Sequence, residues 1–434
     1  MVQRLAINGG SRTVPEGIGK PWPSPSIITD DDRRAVIEAL NEAVLAHWSR
    51  HVELLEEDWA RYVGTRYCLA TNSGTAALHM AVAAAGIEPG DEVITSAYSF
   101  HASASCILHH NGIPIFADID PKTFNIDPKR VEEKITDKTK AIIVVHLFGL
   151  PAEMDEINSI ARKYDLVVIE DAAHAHGAEY KGRKTGNLGD MAAFSLNANK
   201  NLFAGEGGLF TTNSDEYYDM AQRVRTFGEI VRRDGTRSGD VFGLGWMYKP
   251  NAITAALARS LLKRLDEYNA VRIKNCEYLT SHLSKFDGIQ VPYVPPHVKH
   301  VYNTYVIRLR PEELDINVPP RKFRDAMQMA LNAEGVPFKP YYRTPIPASP
   351  LYQRKTGYGK GCPWTCPHSR KEIEYSSVDY REALRFCDDH LALCDRRVHG
   401  PWPPNDLKLM DYYIEAFEKI FDNLDQVIEL AKKI

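Results

Sequence analysis

Between residues 67 and 212 short apolar runs alternate with longer amphipathic or polar stretches, and this alternation restricts the fold more than any other feature of the chain. The runs fall at 67–70, 92–96, 113–117, 141–146, 166–170, 192–195 and 208–212. Most are apolar over the greater part of their length, which suits a strand buried on both faces, and most of the intervening stretches are long enough to cross back over a sheet as helices. The pattern predicts an α/β fold built on a mostly parallel seven-stranded sheet covered by helices, with right-handed crossovers. Ligands in such sheets bind beyond the carboxyl ends of the strands, so the residues after each run are where chemistry is expected.

The flanking segments extend this plan. Residues 29–46, TDDDRRAVIEALNEAVLA, open with a capping Thr and three acids and then repeat apolar residues at helical spacing, predicting one helix. A second is predicted from 50 to 63. Residues 251–285 contain no Pro or Gly and read as one long helical region able to link two lobes. Beyond it, a strand over 303–309, a helix around 321–334, a loop rich in Pro, Gly and Cys over 337–369 and a terminal helix over 405–433 suit a smaller α+β domain. The expected division is an N-terminal arm and large domain over 1–250, then a linking helix and smaller C-terminal domain over 251–434. A length of 434 residues fits two unequal lobes.

Charge narrows the partners. The 53 Lys and Arg against 57 Asp and Glu leave a formal net charge of -4, which supplies no long-range field for nucleic acid or an anionic membrane. Residues 1–30 contain no apolar core of a signal peptide, and the most apolar run, 141–150, is interrupted by His146 and is too short to span a bilayer. Seven cysteines are odd in number and sparse for this length, so they are read as free thiols of a cytoplasmic protein. A small-molecule partner is expected.

Three segments after strands carry chemistry. Thr71-Asn72-Ser73-Gly74-Thr75 opens the helix AALHMAVAAAG, whose first N–H groups attract an anion such as a phosphate; simple capping by Asn72 or Ser73 is the plainer alternative. Asp171-Ala172-Ala173-His174-Ala175-His176 places an acid and two imidazoles at a strand's carboxyl edge. Lys200 stands among uncharged neighbours in Leu196-Asn197-Ala198-Asn199-Lys200-Asn201-Leu202, beside the Gly-rich turn at 205–208, where a partly desolvated amine has a lowered pKa and reacts with a carbonyl. Phosphate site, carboxylate and amine are together the requirements of pyridoxal 5'-phosphate, and Phe100, after another strand edge, offers a face for its ring. A dinucleotide reading fails, because no G-x-G-x-x-G joins a strand to a helix.

The chain resembles the DegT/DnrJ/EryC1/StrS aminotransferases, fold-type I pyridoxal phosphate enzymes that aminate keto sugars and ketocyclitols. The likeness rests on NSGTAALHM (72–80), PGDEVITSAYSFHASA (89–104), EDAAHAHGA (170–178) and SLNANKNLFAGEGG (195–208), in that order. It implies that Ser73, Gly74, Thr75 and Ser195 surround the phosphate, that Phe100 stacks on the ring and Asp171 pairs with its nitrogen, that His174 lies against the ring near its hydroxyl, and that Lys200 forms the Schiff base. Relatives with His in place of Lys200 dehydrate their sugar, so Lys200 points to transamination. Where relatives carry an Asn that reaches the partner subunit's phosphate, this chain has Met247, which leaves Lys249 or Asn251 as replacements. Trp48-Ser49-Arg50-His51 is similar to the ketocyclitol branch, and Arg50 is a candidate for the carboxylate of the amino donor.

The expected function is transfer of an amino group from glutamate or glutamine to a keto sugar or ketocyclitol by a homodimer with shared active sites. A dehydrating or aromatising enzyme of the aminobenzoate-synthase type, or a non-catalytic sensor that binds cofactor or sugar, are the alternatives that keep the fold. No metal is expected: Cys362 and Cys366, with Cys387, His390, Cys394 and His399 downstream, match no common zinc spacing. The basic segment 232–237 is read as a solvated loop.

Overall fold

The computed structural model describes residues 3–231 and 236–434. Its main sheet contains β1 (Tyr67–Thr71), β2 (Glu92–Ser96), β3 (Ile113–Ala117), β4 (Thr139–Val145), β5 (Val167–Asp171), β8 (Met191–Ser195) and β9 (Gly208–Thr212), with β6 (Glu179–Tyr180) and β7 (Arg183–Lys184) forming a short pair outside it. The spatial order is β1-β9-β8-β5-β4-β2-β3. Only β9 runs antiparallel to its neighbours, so the seven predicted strands do form one mostly parallel sheet. Strands β2 and β3 are buried at every position, as the unbroken apolar sequence of β3 requires, and in β2 the burial extends to Glu92, Thr95 and Ser96.

Register sets the site. Thr71 lies opposite Gly208, Gly208 opposite Ser195, and Asp171 opposite both Ala193 and Val145. The ends of β1, β4, β5 and β8 therefore meet at one edge, where β9 begins. Helices cover both faces. Among them, α1 (Asp30–Asn41) starts at a capping box between Thr29 and Asp32, and α2 (Arg50–Val63) is capped by Ser49. Next, α3 (Gly74–Ala84) is buried from Ala76 to Ala84 and packs with Leu69, Ile169 and Phe210 of the sheet, the burial expected of a helix apolar on all sides. A shorter helix, α4 (Ala102–His109), follows β2.

Beyond β10 (Glu229–Val231) and β11 (Arg237–Val241), the C-terminal half holds β12 (Ile289–Gln290), β13 (Val298–Lys299), β14 (Tyr305–Leu309), β15 (Phe338–Lys339) and β16 (His390–Leu393). Four of these form a sheet in the order β12-β14-β16-β15, while β13 pairs with β6. Leu5 and Val14 of the N-terminal arm share an apolar cluster with Leu279, Leu331, Tyr413 and Phe417.

Several boundaries differ from the sequence expectation. The helix expected over 29–46 ends at Asn41. The region 251–285 is two helices, Ala252–Leu262 and Leu265–Leu283, because the backbone turns at Arg264, whose guanidinium reaches the buried Asp32 carboxylate at 2.7 Å. The terminal segment likewise splits into Leu407–Phe421 and Leu424–Lys433. The loop expected over 337–369 contributes β15 to the smaller sheet.

Candidate active site

The shared strand edge opens into a cavity of about 380 Å³. Ser73, Gly74, Thr75, Phe100, Asp171, His174, Ser195 and Lys200 all line it. Eight of the nine residues expected from the sequence are thus together, although they come from four separate segments.

The N-terminus of α3 supplies one end. Ser73 Oγ accepts from Ala76 N at 3.1 Å and Ser73 O from Ala77 N at 3.2 Å. The N–H groups of Gly74 and Thr75 have no acceptor among the described residues, so the helix end remains able to bind an anion. Glycine is required at 74 for space: a Cβ there would lie 2.8 Å from Ser195 Cβ. At 208 it would lie 2.4 Å from Ser73 O. The close approach of α3 to β8 and β9 therefore depends on two missing side chains.

Asp171 ends β5 with a carboxylate held in place. Ser103 Oγ donates to its Oδ2 at 2.7 Å, and Ala173 N donates to its Oδ1 at 3.2 Å. Ser103 in turn lies 2.9 Å from Ser99 Oγ. Behind it, Glu170 accepts from Gly186 N at 2.7 Å, Leu188 N at 2.7 Å, Gly189 N at 2.8 Å and His146 Nε2 at 2.9 Å. Ala152 N donates to His146 Nδ1 at 3.1 Å, which assigns the proton to Nε2. These bonds tie β5 to two loops and fix the direction in which Asp171 leaves the strand.

Lys200 follows β8 through a turn closed by Lys200 N to Asn197 O at 2.9 Å and Ala198 N to Gly205 O at 2.8 Å. Its carbonyl accepts from Trp22 Nε1 at 3.0 Å. Burial lowers the amine to about 8, against the opposing pull of Asp171 and with a further push from Arg396. The same burial, reinforced by Lys200 and Arg396, takes His174 well below the ordinary imidazole value, so its ring is neutral. His174 Nε2 lies 3.4 Å from Tyr341 Oη, and its buried Nδ1 has no partner among the described residues. Phe100 stands at the mouth, 56% exposed. A flat ring with a phosphate at one end, a basic nitrogen at the other and a hydroxyl beside an imidazole fits these groups: free N–H donors, a fixed carboxylate and an unpartnered His174 Nδ1.

His176 does not join them. It is fully buried between Trp59 and Phe194, and burial pushes it down to about 3. Asn251, the ninth expected residue, caps the helix Ala252–Leu262 by accepting from Thr254 N at 2.9 Å and does not line its own chain's cavity. The segment before it flanks the anion site, since Asn72 donates from Nδ2 to Met247 O at 3.0 Å and from N to Tyr248 O at 2.9 Å. The Lys249 amine lies 5.0 Å over the Phe227 ring. Arg50 is on the surface, paired with Glu53 at 3.0 Å. Residues 232–235 of the basic segment lie outside the described residues, and Arg237 pairs with Glu229. All seven cysteines are free, and no metal-holding group of three or more His, Cys, Asp or Glu occurs among the described residues.

Sequence reasoning missed Ser103, Tyr341, Tyr342 and Glu206. Ser103 carried a signal, its spacing of one helical turn from Ser99. The two tyrosines lie in a stretch with no periodicity.

A model of the DegT/DnrJ/EryC1/StrS aminotransferase family matches residues 26–377. The chain belongs to that family. It is an enzyme of the pyridoxal-phosphate-dependent aminotransferase type. It is 36% identical over 326 residues to a GDP-perosamine synthase of Caulobacter vibrioides, covering 74% of this chain and 84% of that protein. To an L-glutamine:scyllo-inosose aminotransferase of Streptomyces griseus it is 30% identical over 444 residues, covering 98% and 100%. Among solved structures, DesV of S. venezuelae in complex with a ketimine intermediate superposes with a TM-score of 0.77 at 25% identity, covering 93% of this chain and 99% of that one. This family member therefore has the fold-type I architecture, with a mostly parallel sheet and helices on both faces.

Proposed function

We propose that this enzyme binds pyridoxal 5'-phosphate and transfers an amino group from glutamate or glutamine to a keto sugar or ketocyclitol, in amino sugar or aminocyclitol biosynthesis. The observation that carries the proposal is that Lys200, with its lowered amine, and the fixed Asp171 carboxylate line the same cavity as the open helix end at Gly74 and Thr75. Bound there, the cofactor supplies an aldehyde that takes up the amino group and a protonated ring that withdraws electrons from the donor's Cα.

The protein's own residues do the rest. Gly74 and Thr75 donate backbone N–H groups to the phosphate, and the Ser195 hydroxyl adds a further hydrogen bond. Asp171 keeps the proton on the ring nitrogen, and Phe100 covers one face of the ring. His174, neutral, meets the ring hydroxyl. Lys200, as a neutral amine, takes the proton from the donor's Cα and returns it on the other side of the exchange. Donor and acceptor use one cavity in turn, so the reaction is ping-pong.

Among the described lining residues Lys200 is the one cation. A nucleotide diphosphate would find no arginine there, which favours an uncharged free sugar or cyclitol as acceptor. The glutamine:scyllo-inosose relative, matched over nearly the whole length of both proteins, supports the cyclitol side.

A second copy of the chain completes the assembly. Trp48, Phe242, Leu244 and Met247 are 66%, 59%, 78% and 55% exposed. They belong to neighbouring segments, joined by Ala252 N to Leu45 O at 3.0 Å and Phe242 N to Gly228 O at 2.9 Å. An apolar surface of this kind beside a catalytic cavity is what a homodimer covers. The free thiols fit a cytoplasmic location. The division into a large domain over 1–250 and a smaller one over 251–434 accompanies this reading. The test is to load the enzyme with pyridoxamine phosphate and find which keto compounds restore the pyridoxal spectrum. Restoration by scyllo-inosose-like ketocyclitols or free keto sugars is expected. Restoration by nucleotide-linked keto sugars alone would contradict the acceptor class.

A further inference from the structure

Three asparagines meet in the interior beside the Lys200 turn. Asn201, Asn269 and Asn303 are 2%, 0% and 4% exposed, and they belong to the stretch after β8, to the helix Leu265–Leu283 and to the segment that leads into β14. Asn201 Nδ2 donates to Asn269 Oδ1 and to Val301 O, each at 3.0 Å, and Asn201 Oδ1 accepts from Asn303 Nδ2 at 3.2 Å. Asn269 Nδ2 donates to His176 O at 2.8 Å, and Asn269 Oδ1 also accepts from Arg272 Nη1 at 3.3 Å. A main-chain carbonyl only accepts and a guanidinium only donates. Val301, His176 and Arg272 therefore leave Asn201 and Asn269 one amide orientation each, and Asn303 must turn its NH2 group to the Asn201 oxygen.

Burying an amide is costly unless its polar atoms are paired, and an aliphatic side chain would fill the same space without that cost. What a satisfied network adds is direction, since it fixes one arrangement of the segments it joins. Here it joins two turns of the cavity. Asn201 follows Lys200 directly, and Asn269 reaches the turn after β5 that carries Asp171, His174 and His176. The segment of Val301 and Asn303 closes the same junction. Val301 N donates to Gly149 O at 3.1 Å, and a Cβ on Gly149 would lie 2.9 Å from His174 O and 3.0 Å from Asn303 N. The hydrogen bonds of the Lys200 main chain itself, with Asn197 O and Trp22 Nε1, do not extend to the β5 turn.

We propose that Asn201, tied to Asn269 and Asn303, is a positioning residue for Lys200, and that this amide triad sets where the lysine stands relative to Asp171 and His174. The inference depends on the aminotransferase reading above in taking Lys200 as the reacting amine. None of the three asparagines lines the cavity, so the triad touches neither cofactor nor substrate and acts through the main chain. Without it the lysine turn shifts away from the β5 turn, and the amine becomes more accessible to water.

The test compares Asn201→Leu, close to the original in volume, with the parent and with Asn275→Leu. Asn275 is a buried asparagine of the same helix that donates to Pro401 O at 3.2 Å and Asn405 O at 2.9 Å, so its loss weakens the fold without cutting the triad. In cofactor-free protein the acylation midpoint of Lys200, at about 8 in the parent, should rise by about half a pH unit or more in Asn201→Leu and stay in place in Asn275→Leu. Asp171, Glu206 and Arg396, the charged groups that act on the amine, are unchanged in both variants, so a rise reports its position. In loaded enzyme Asn201→Leu should lower kcat about tenfold while the KM for donor and acceptor stays within about threefold. Asn303→Ala removes one bond of the triad and should shift the midpoint the same way by less, which serves if Asn201→Leu does not fold. A midpoint unmoved in the folded triad variants, an equal rise in Asn275→Leu, or an undiminished kcat would overturn the inference. Should the loaded parent transfer no amino group, the aminotransferase reading would fall, while the acylation midpoints would still decide whether the triad positions Lys200.

Discussion

The Ser103 hydroxyl lies 2.7 Å from Asp171 Oδ2 and donates to it, joining the first turn of α4 to the end of β5. A carboxylate held this way keeps one orientation toward whatever base lies in the cavity. Asp171→Asn should therefore lower turnover by about 10²–10³-fold, the usual loss when a positioned charge is removed, with a much smaller fall in cofactor occupancy. Ser103→Ala, which removes only the hydrogen bond, should cost about tenfold. Steady-state rates and bound-cofactor absorbance measure both, and an equal loss of occupancy and rate in Asp171→Asn would leave it a binding role alone.

Lys200 gives a pH prediction. Its amine, lowered by burial to about 8 from an ordinary 10.5, must be neutral to take a proton. In cofactor-free protein, acylation of Lys200 followed by mass spectrometry should rise through pH 8, well below the range of surface lysines. The folded state binds fewer protons here than the unfolded chain between about pH 8 and 10.5, so Lys200 contributes a stability deficit that is full below 8 and fades toward 10.5. Lys200→Met apoprotein should accordingly melt above the parent at pH 7, and the gap should narrow as pH rises through that window. A gap that widened with pH would contradict the assignment.

Glu170 is surrounded entirely by donors: three backbone N–H groups and His146 Nε2. Glu170→Gln keeps the shape but turns an NH2 group toward N–H groups, whichever way the amide is placed. We expect a loss of about 3 kcal/mol in stability, the magnitude for breaking a buried charged network. Urea unfolding of the two proteins measures it, and a change below 1 kcal/mol, on the order of noise for such a site, would contradict the network's importance.

Much of this site was legible beforehand. Asp171 and Lys200 follow apolar runs whose strand character is unambiguous, and the register of a parallel sheet brings their ends to one edge. His174 and His176 could not be told apart in this way. They lie two residues apart on an irregular turn, and only the packing of Trp59 and Phe194 around His176 separates core from cavity. Tyr341 and Tyr342 were hidden because their places are set by distant groups: Tyr341 N donates to His390 Nε2 at 2.8 Å, and Tyr342 N to Tyr98 Oη at 3.1 Å. The break at Arg264 has the same cause, an ion pair with Asp32 that no local signal announces.

Asn251 tests the shared site. In its own chain it is a helix cap outside the cavity, and Met247 beside it has no side-chain donor. If Asn251 serves the partner's phosphate, mixing inactive Lys200→Ala with an inactive Asn251 variant yields heterodimers with one site carrying both lesions and one carrying neither. Activity should then return to about a quarter of the parent's, the statistical share of intact sites when the two subunits exchange freely. No recovery after exchange is confirmed by mass spectrometry would place Asn251 outside the partner's site.

The most direct test of the central claim is a single half-reaction. Purified enzyme loaded with pyridoxal phosphate is mixed with excess L-glutamine or L-glutamate, without any acceptor, and followed by absorbance and by quantifying the keto acid released. The account predicts conversion of the bound cofactor to its pyridoxamine form with one keto acid per active site, and no conversion in Lys200→Ala. Conversion that persisted in Lys200→Ala, or none with any amino acid in a fully loaded parent enzyme, would contradict it.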